Sequence, residues 1–215
     1  WERWSPHASR HATWLWMATL RGTAYEQACL SLLQRWLRMD VYRTGGAHDR
    51  GMDLCGWWSP HTLSPVHTQP DARVRVVTQC KAIAKPAGPH IVRELEGTLV
   101  RAAWDKFAPT STAPGALATQ PDEAPLIGVL AVLSGFSKHA MLQARSSRVP
   151  MLLLHLTSPH ADFRDLHCAG FVWNEALAHG VLDNRFDIGW VERASRSPKE
   201  SAPQLVVYRD GIAVA

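Results

Sequence analysis

The stretch Arg73-Val74-Arg75-Val76-Val77-Thr78-Gln79-Cys80-Lys81-Ala82-Ile83 decides how this chain folds. Its alternation and its Val content predict a β-strand. Side chains two apart on a strand share a face, so Gln79 and Lys81 point one way and Cys80 the other, into a core. Upstream lies Gly45-Gly46-Ala47-His48-Asp49-Arg50-Gly51-Met52-Asp53-Leu54. Its glycines permit a tight turn between two further strands, over residues 41–44 and 52–58. Asp53 starts the second of these between apolar Met52 and Leu54, where an unpaired Asp is disfavoured. Asp49 suits the turn itself. Alternation puts Asp53 on one face with Cys55 and Leu54 on the other.

Working outward, residues 22–39 predict a helix, with Tyr25, Ala28, Cys29, Leu32, Leu33, Trp36 and Leu37 on one stripe. Pro89 opens a second helix reaching about residue 107, with Ile91, Val92, Leu95, Leu99, Val100 and Ala103 as its stripe. Residues 108–125 hold four Pro among Ser, Thr, Ala and Gly, the composition of a flexible insertion. Residues 125–133 and 151–156 read as buried strands. Between them Ser137 caps a short helix ending near Arg145. Residues 162–180 read as helical. Residues 204–215 read as a hairpin turning at Asp210-Gly211. This order predicts an α/β fold with a mixed central β-sheet flanked by helices. The chain divides into an N-terminal extension (1–19), a main domain (20–157) and a C-terminal appendage (158–215).

The 215 residues, 46% hydrophobic and 20% charged, supply material for one large domain and exclude a disordered tail or a disulfide-stapled miniprotein. No apolar run approaches the roughly 20 residues that span a bilayer. The four cysteines show no CxxC spacing, which excludes a zinc knuckle and a thioredoxin-type motif, and they read as reduced thiols. His7 and His11 lack a third ligand for zinc. The net charge of +4 is a mild basic excess, and 18 of the 23 basic residues are Arg, the side chain suited to bidentate phosphate contacts. The chain begins at Trp1 and reads as a trimmed fragment, with any targeting peptide absent from it.

Two acids sit oddly. Glu26 falls inside the apolar face of the first helix, where a carboxylate needs a cation or a metal. Its bland alternative is an edge carboxylate that reaches water or salt-bridges an Arg. Glu96 falls within the second helix's stripe, with an Arg again the expected partner. Lys138, His139, Arg145 and Arg148 form a basic segment beside Ser137, whose helix start offers free N–H groups to a phosphate.

Taken in order, these pieces resemble the PD-(D/E)xK nuclease superfamily and its Mrr-type restriction endonuclease branch. The resemblance rests on Gly22-Thr23-Ala24-Tyr25-Glu26, on Gly45-Gly46 through Asp53, and on Gln79-Cys80-Lys81. Residues 92–97 and 132–140 look similar too, so the likeness covers about residues 20–157. The Trp-rich setting is most similar to the fungal mitochondrial family called "required for respiratory growth", which carries such a core.

The resemblance implies a restriction-endonuclease-like three-layer core and a Mg²⁺- or Mn²⁺-dependent phosphodiesterase acting on DNA, double- or single-stranded, in the mitochondrial matrix. Asp53 is then the central metal ligand and the Cys80 backbone carbonyl a second. Gln79 is a neutral ligand where many relatives have Glu, and Glu26 binds through water or at a second metal. Lys81 orients the attacking water or stabilises charge at phosphorus. Ser137, Lys138, His139, Arg145 and Arg148 contact substrate, with Asp49, Arg93 and Glu96 in lesser roles. Many such relatives work as homodimers that cut both strands. The competing expectations are a non-catalytic DNA-binding module on the same fold, and an organellar assembly protein.

Overall fold

A computed structural model describes residues 6–44, 51–60, 73–105, 124–191 and 204–213. Helix α1 (Pro6–Trp36) leads into strands β1 (Asp40–Arg43), β2 (Leu54–Trp58) and β3 (Val74–Lys81). Helix α2 (Pro89–Trp104), β4 (Leu126–Val132), α3 (Lys138–Ser146) and β5 (Met151–Thr157) follow. The chain continues through β6 (His167–Trp173), α4 (Glu175–Gly180), β7 (Phe186–Val191), β8 (Gln204–Arg209) and β9 (Ile212–Ala213). Strands β1 to β6 form one six-stranded sheet in sequence order, and β7 to β9 a three-stranded one. The large sheet is mixed: β3, β4 and β5 are parallel, and the other pairs antiparallel.

The parallel centre explains the near-continuous apolar runs of β4 and β5, because strands covered on both faces bury every residue. On one face Val76, Val129, Ala131, Leu152 and Leu154 pack with Tyr25, Cys29, Leu32 and Leu33 of α1. On the other, Val77, Leu130, Val132 and Leu153 pack with Val92, Leu95 and Leu99 of α2 and with Ala140 and Ala144 of α3. The result is the expected three-layer α/β core. Gly128 lets α2 settle onto the sheet, since a Cβ there would lie 2.4 Å from a Leu99 methyl.

Several expectations need correcting. Helix α1 starts at Pro6, so residues 6–19 continue the first core helix. Val100 and Ala103 of α2 are exposed, and Ala102 takes the buried place. Residues 162–180 are not one helix. They contain β6, which pairs with β5 and extends the large sheet, and then the short α4. Leu166 and Cys168 fall on the α1 face and, after the extra residue Ala169, Phe171 and Trp173 continue it with Val172 on the other face, and Asn174 starts α4 by accepting from the Leu177 N–H at 3.0 Å. The predicted insertion at 108–125 and Asp49 lie outside the described residues, apart from Ala124 and Pro125. The terminal hairpin is as expected, with Asp210 and Gly211 both at positive φ, as a two-residue turn of this kind requires.

Asn174 pins three elements together. Its Oδ1 also accepts from the Met151 N–H at 3.1 Å, and its Nδ2 donates to the Val149 carbonyl at 2.8 Å and the Ser147 carbonyl at 3.1 Å. Among the described residues no helix is long and apolar enough to cross a membrane.

Candidate functional site at the end of strand β3

The end of β3 gathers the residues singled out in the sequence. The Leu133 N–H donates to the Lys81 carbonyl at 3.1 Å, so the Lys81 backbone faces β4. By alternation, the backbones of Thr78 and Cys80 face β2. Accordingly the Asp53 N–H donates to the Thr78 carbonyl at 3.0 Å. Beyond the end of β2 the Cys80 amide meets no strand, and it donates to Asp53 Oδ2 at 2.6 Å instead. The same alternation directs the Cys80 carbonyl toward the Asp53 side. Asp53 is itself held from β1, because the Thr44 N–H and hydroxyl each donate to its carbonyl at 3.1 Å.

Gln79 and Lys81 face α2, where one acid meets both. Glu94 Oε1 accepts from Lys81 Nζ at 2.8 Å and from Gln79 Nε2 at 3.4 Å. A carboxylate can only accept, so Gln79 turns its Nε2 toward Glu94. Its Oε1 is then left buried with no hydrogen-bond partner, in a side chain only 1% exposed. Gly51 closes this corner at φ +80°, and a Cβ there would lie 2.7 Å from Gln79 Nε2. Glu94 joins the site where the sequence favoured its neighbours Arg93 and Glu96. Its signal was a polar position on the first turns of α2, but only the packing of α2 on β3 brings it, and not the likewise exposed Arg93, to Gln79 and Lys81.

Glu26 follows its bland alternative. Its Oε2 accepts from Arg43 Nη2 at 2.7 Å and Nε at 3.0 Å, so the acid on the α1 face is neutralised by a cation from β1. It still lies close to the strand end. The Cys80 thiol is pushed well above its ordinary pKa by a hydrogen bond with Cys29, then by burial, and further by the charges of Cys29, Asp53 and Glu26. Tyr25, buried beside these thiols, is also pushed up, first by burial and then by Cys29 and Cys80. Burial likewise pushes the Cys168 thiol up to about 12. These groups stay neutral and form the dry side of the site.

Ser137 caps α3 by accepting from the Ala140 N–H at 3.2 Å. Lys138, His139, Arg145 and Arg148 are exposed on or just after that helix. The helix start is tied to the segment leaving β3: the Ser137 N–H donates to the Ala87 carbonyl at 2.9 Å, and the Ala87 N–H to the Gly135 carbonyl at 2.8 Å. Lys138 and His139 at the start of α3 therefore lie at the same end of the sheet as Lys81, whereas Arg145 and Arg148 lie toward the opposite end, where α3 leads back to the start of the parallel strand β5. Glu96 pairs with Gln143 of α3 at 3.2 Å, not with an Arg, and bridges two helices away from the strand end.

Among the described residues no group of three or more His, Cys, Asp or Glu side chains is placed to hold a metal. The donors at the end of β3 are instead one carboxylate (Asp53), one backbone carbonyl (Cys80) and the unpartnered amide oxygen of Gln79. An all-oxygen set with a single charge suits a hard cation that keeps most of its water, such as Mg²⁺ or Mn²⁺.

Residues 17–73 match the family described as "Required for respiratory growth protein 7". The chain is also 30% identical over 159 residues to an uncharacterized mitochondrial protein of Schizosaccharomyces pombe. That alignment covers 74% of this chain and 52% of the relative, so the chain spans about half the relative's length. No solved structure matches the chain. The relative's name and the family's link to respiratory growth support a mitochondrial location. Over residues 17–73 the chain thus resembles the respiratory-growth family, and over 74% of its length it resembles this mitochondrial relative.

Proposed function

We propose that this protein is a metal-dependent nuclease that hydrolyses phosphodiester bonds of DNA in the mitochondrial matrix. The observation that carries the reading is the pairing of Asp53 with the Cys80 amide at the strand end that bears Gln79 and Lys81. Asp53, the Cys80 carbonyl and Gln79 would hold Mg²⁺ or Mn²⁺. When bound, the cation supplies an activated water and neutralises charge at phosphorus. Lys81 presents a compact ammonium to the scissile phosphate. Glu94 holds that ammonium in place and also accepts from Gln79 Nε2. Lys138 and His139, with the start of α3, would bind flanking phosphates, and Arg145 and Arg148 phosphates farther along the DNA.

The test is cleavage of double- and single-stranded DNA with Mg²⁺ or Mn²⁺. Asp53→Asn should drop the rate about 10³-fold or more, since one charged ligand is lost. Undiminished cleavage by that variant sinks the assignment. A second reading has an observation of its own in its favour. Glu26 is committed to Arg43, and without it the cation has few charged ligands. A non-catalytic DNA-binding module on this fold would bind DNA with a steep salt dependence and no metal-dependent turnover.

A further inference from the structure

Strand β6 is the outer strand of the large sheet, and α3 runs beside it. Between them lies a trough of about 490 Å³, lined from α3 by Lys138, Met141, Leu142 and Arg145. These positions are spaced i, i+3, i+4, i+7, one face of a helix. From β6 the trough is lined by Phe171, Val172 and Trp173. Val172 pairs with Leu153, whose side chain lies on the α3 side of the sheet. Phe171 and Trp173 pair with Leu154 and Leu152, which lie on the α1 side. Phe171 and Trp173 therefore offer the trough their main chain.

The ladder says which way that main chain points. The Asn174 N–H donates to the Met151 carbonyl, so Asn174 and then Val172 and Gly170 bond inward to β5. Antiparallel alternation turns the N–H and C=O groups of Phe171 and Trp173 outward. Among the described residues no strand pairs with that edge. Met141 and Leu142 flank it at 36% and 53% exposure. Among the described residues the charged side chains lining the trough are Lys138 and Arg145, with no carboxylate.

We propose that this edge is a docking site for an extended acidic segment of a partner protein, which adds as a further strand beside β6. Its backbone would pair with Phe171 and Trp173. A small apolar side chain would sit over Val172, Met141 and Leu142, and acids on the same face would meet Lys138 and Arg145. Those two cations lie two helical turns apart, about 10 Å along α3. Residues four apart on one strand face are about 13 Å apart, and long side chains close the difference. The fitting pattern is thus acid-x-apolar-x-acid. A second copy fits less well, because its β6 would present Gly170 and Val172 on that face and leave both cations unpaired. The site shares Lys138 and Arg145 with the proposed phosphate-binding segment but none of Asp53, Gln79 and Lys81, and it does not depend on the nuclease centre.

The experiment is a titration of the whole chain, without metal, with the capped peptide Thr-Glu-Thr-Val-Thr-Glu-Thr, followed by amide NMR. Saturable shifts at Phe171 and Trp173 are expected. Backbone N-methylation of alternate peptide residues should weaken binding at least about tenfold, since it removes main-chain hydrogen bonds. The exposed double change Lys138→Glu with Arg145→Glu should lose the acidic peptide and gain the same peptide with Lys for Glu. Several results overturn the proposal: no saturable shift at those amides, equal binding of the N-methylated peptide, or a single-stranded DNA octamer that shifts them when the peptide does not. Protein dimerisation that protects the same amides without peptide also overturns it, in favour of a second copy.

Discussion

Among the described residues two amide side chains are buried, Asn174 at 2% exposure and Gln79 at 1%, and their surroundings differ sharply. Asn174 has every polar atom bonded, linking the ends of α3, β5, β6 and α4. Gln79 makes one long contact to Glu94 and leaves its oxygen bare. A fully bonded buried amide serves the fold. A bare one costs stability unless something binds it, and so marks a place where the fold yields to function.

Variants can break or sharpen this contrast. The largest change in stability is expected from Asn174→Ala. It strands the Met151 N–H and the Val149 carbonyl and should cost about 2–4 kcal/mol in denaturant unfolding. A loss below about 1 kcal/mol would remove Asn174 as the pin. Gln79 should behave in the opposite way. Gln79→Leu removes an unsatisfied group and should keep stability within about 1 kcal/mol of wild type, while lowering metal-dependent cleavage. Gln79→Glu should destabilise the metal-free protein by burying a carboxylate near Glu94. It should also raise Mn²⁺ affinity about tenfold, because it adds a charged ligand. If Mn²⁺ lifts the Tm of Gln79→Glu no more than that of wild type, Gln79 is not a ligand.

Smaller effects follow. Cys80 serves the proposed centre through its backbone while its thiol lies on the dry side. Cys80→Ala should cost about 1 kcal/mol of packing and leave cleavage intact. A loss of cleavage as deep as that of Asp53→Asn would show the thiol to be part of the chemistry. The smallest effect belongs to the exposed pair at the hairpin. Hydrogen bonding to Arg185 holds the Asp210 carboxyl below its ordinary value of 3.8. A depressed folded pKa means that the stabilisation is present above the unfolded pKa and is lost as pH falls through the folded one. Asp210→Asn keeps the turn, and should narrow the acid-induced drop in Tm at low salt only. At about 1 M salt, where screening acts over about 3 Å, wild type and variant should coincide.

Much of this was legible in the chain. The alternation of β3 separates Gln79 and Lys81 from Cys80, because strand geometry has a period of two. The Ser137 cap and the Asp210-Gly211 turn were readable for the same reason, since each rests on a few consecutive residues. Residues 162–180 misled, because Ala and Leu in α4 lend helical character to a segment whose first half alternates. Val100 misled because a wheel gives the width of a stripe but not how far a neighbour reaches along it.

The sequence by itself determined the order of elements, the sheet's buried centre and the side of β3 on which each end residue falls. Those depend on local propensity and periodicity. Only the tertiary structure decided that Glu94 joins Gln79 to Lys81, that Arg43 claims Glu26, and that β6 extends the sheet. Each of these is a contact between segments far apart in the chain. It is set by strand register and helix docking, and no local pattern carries that information.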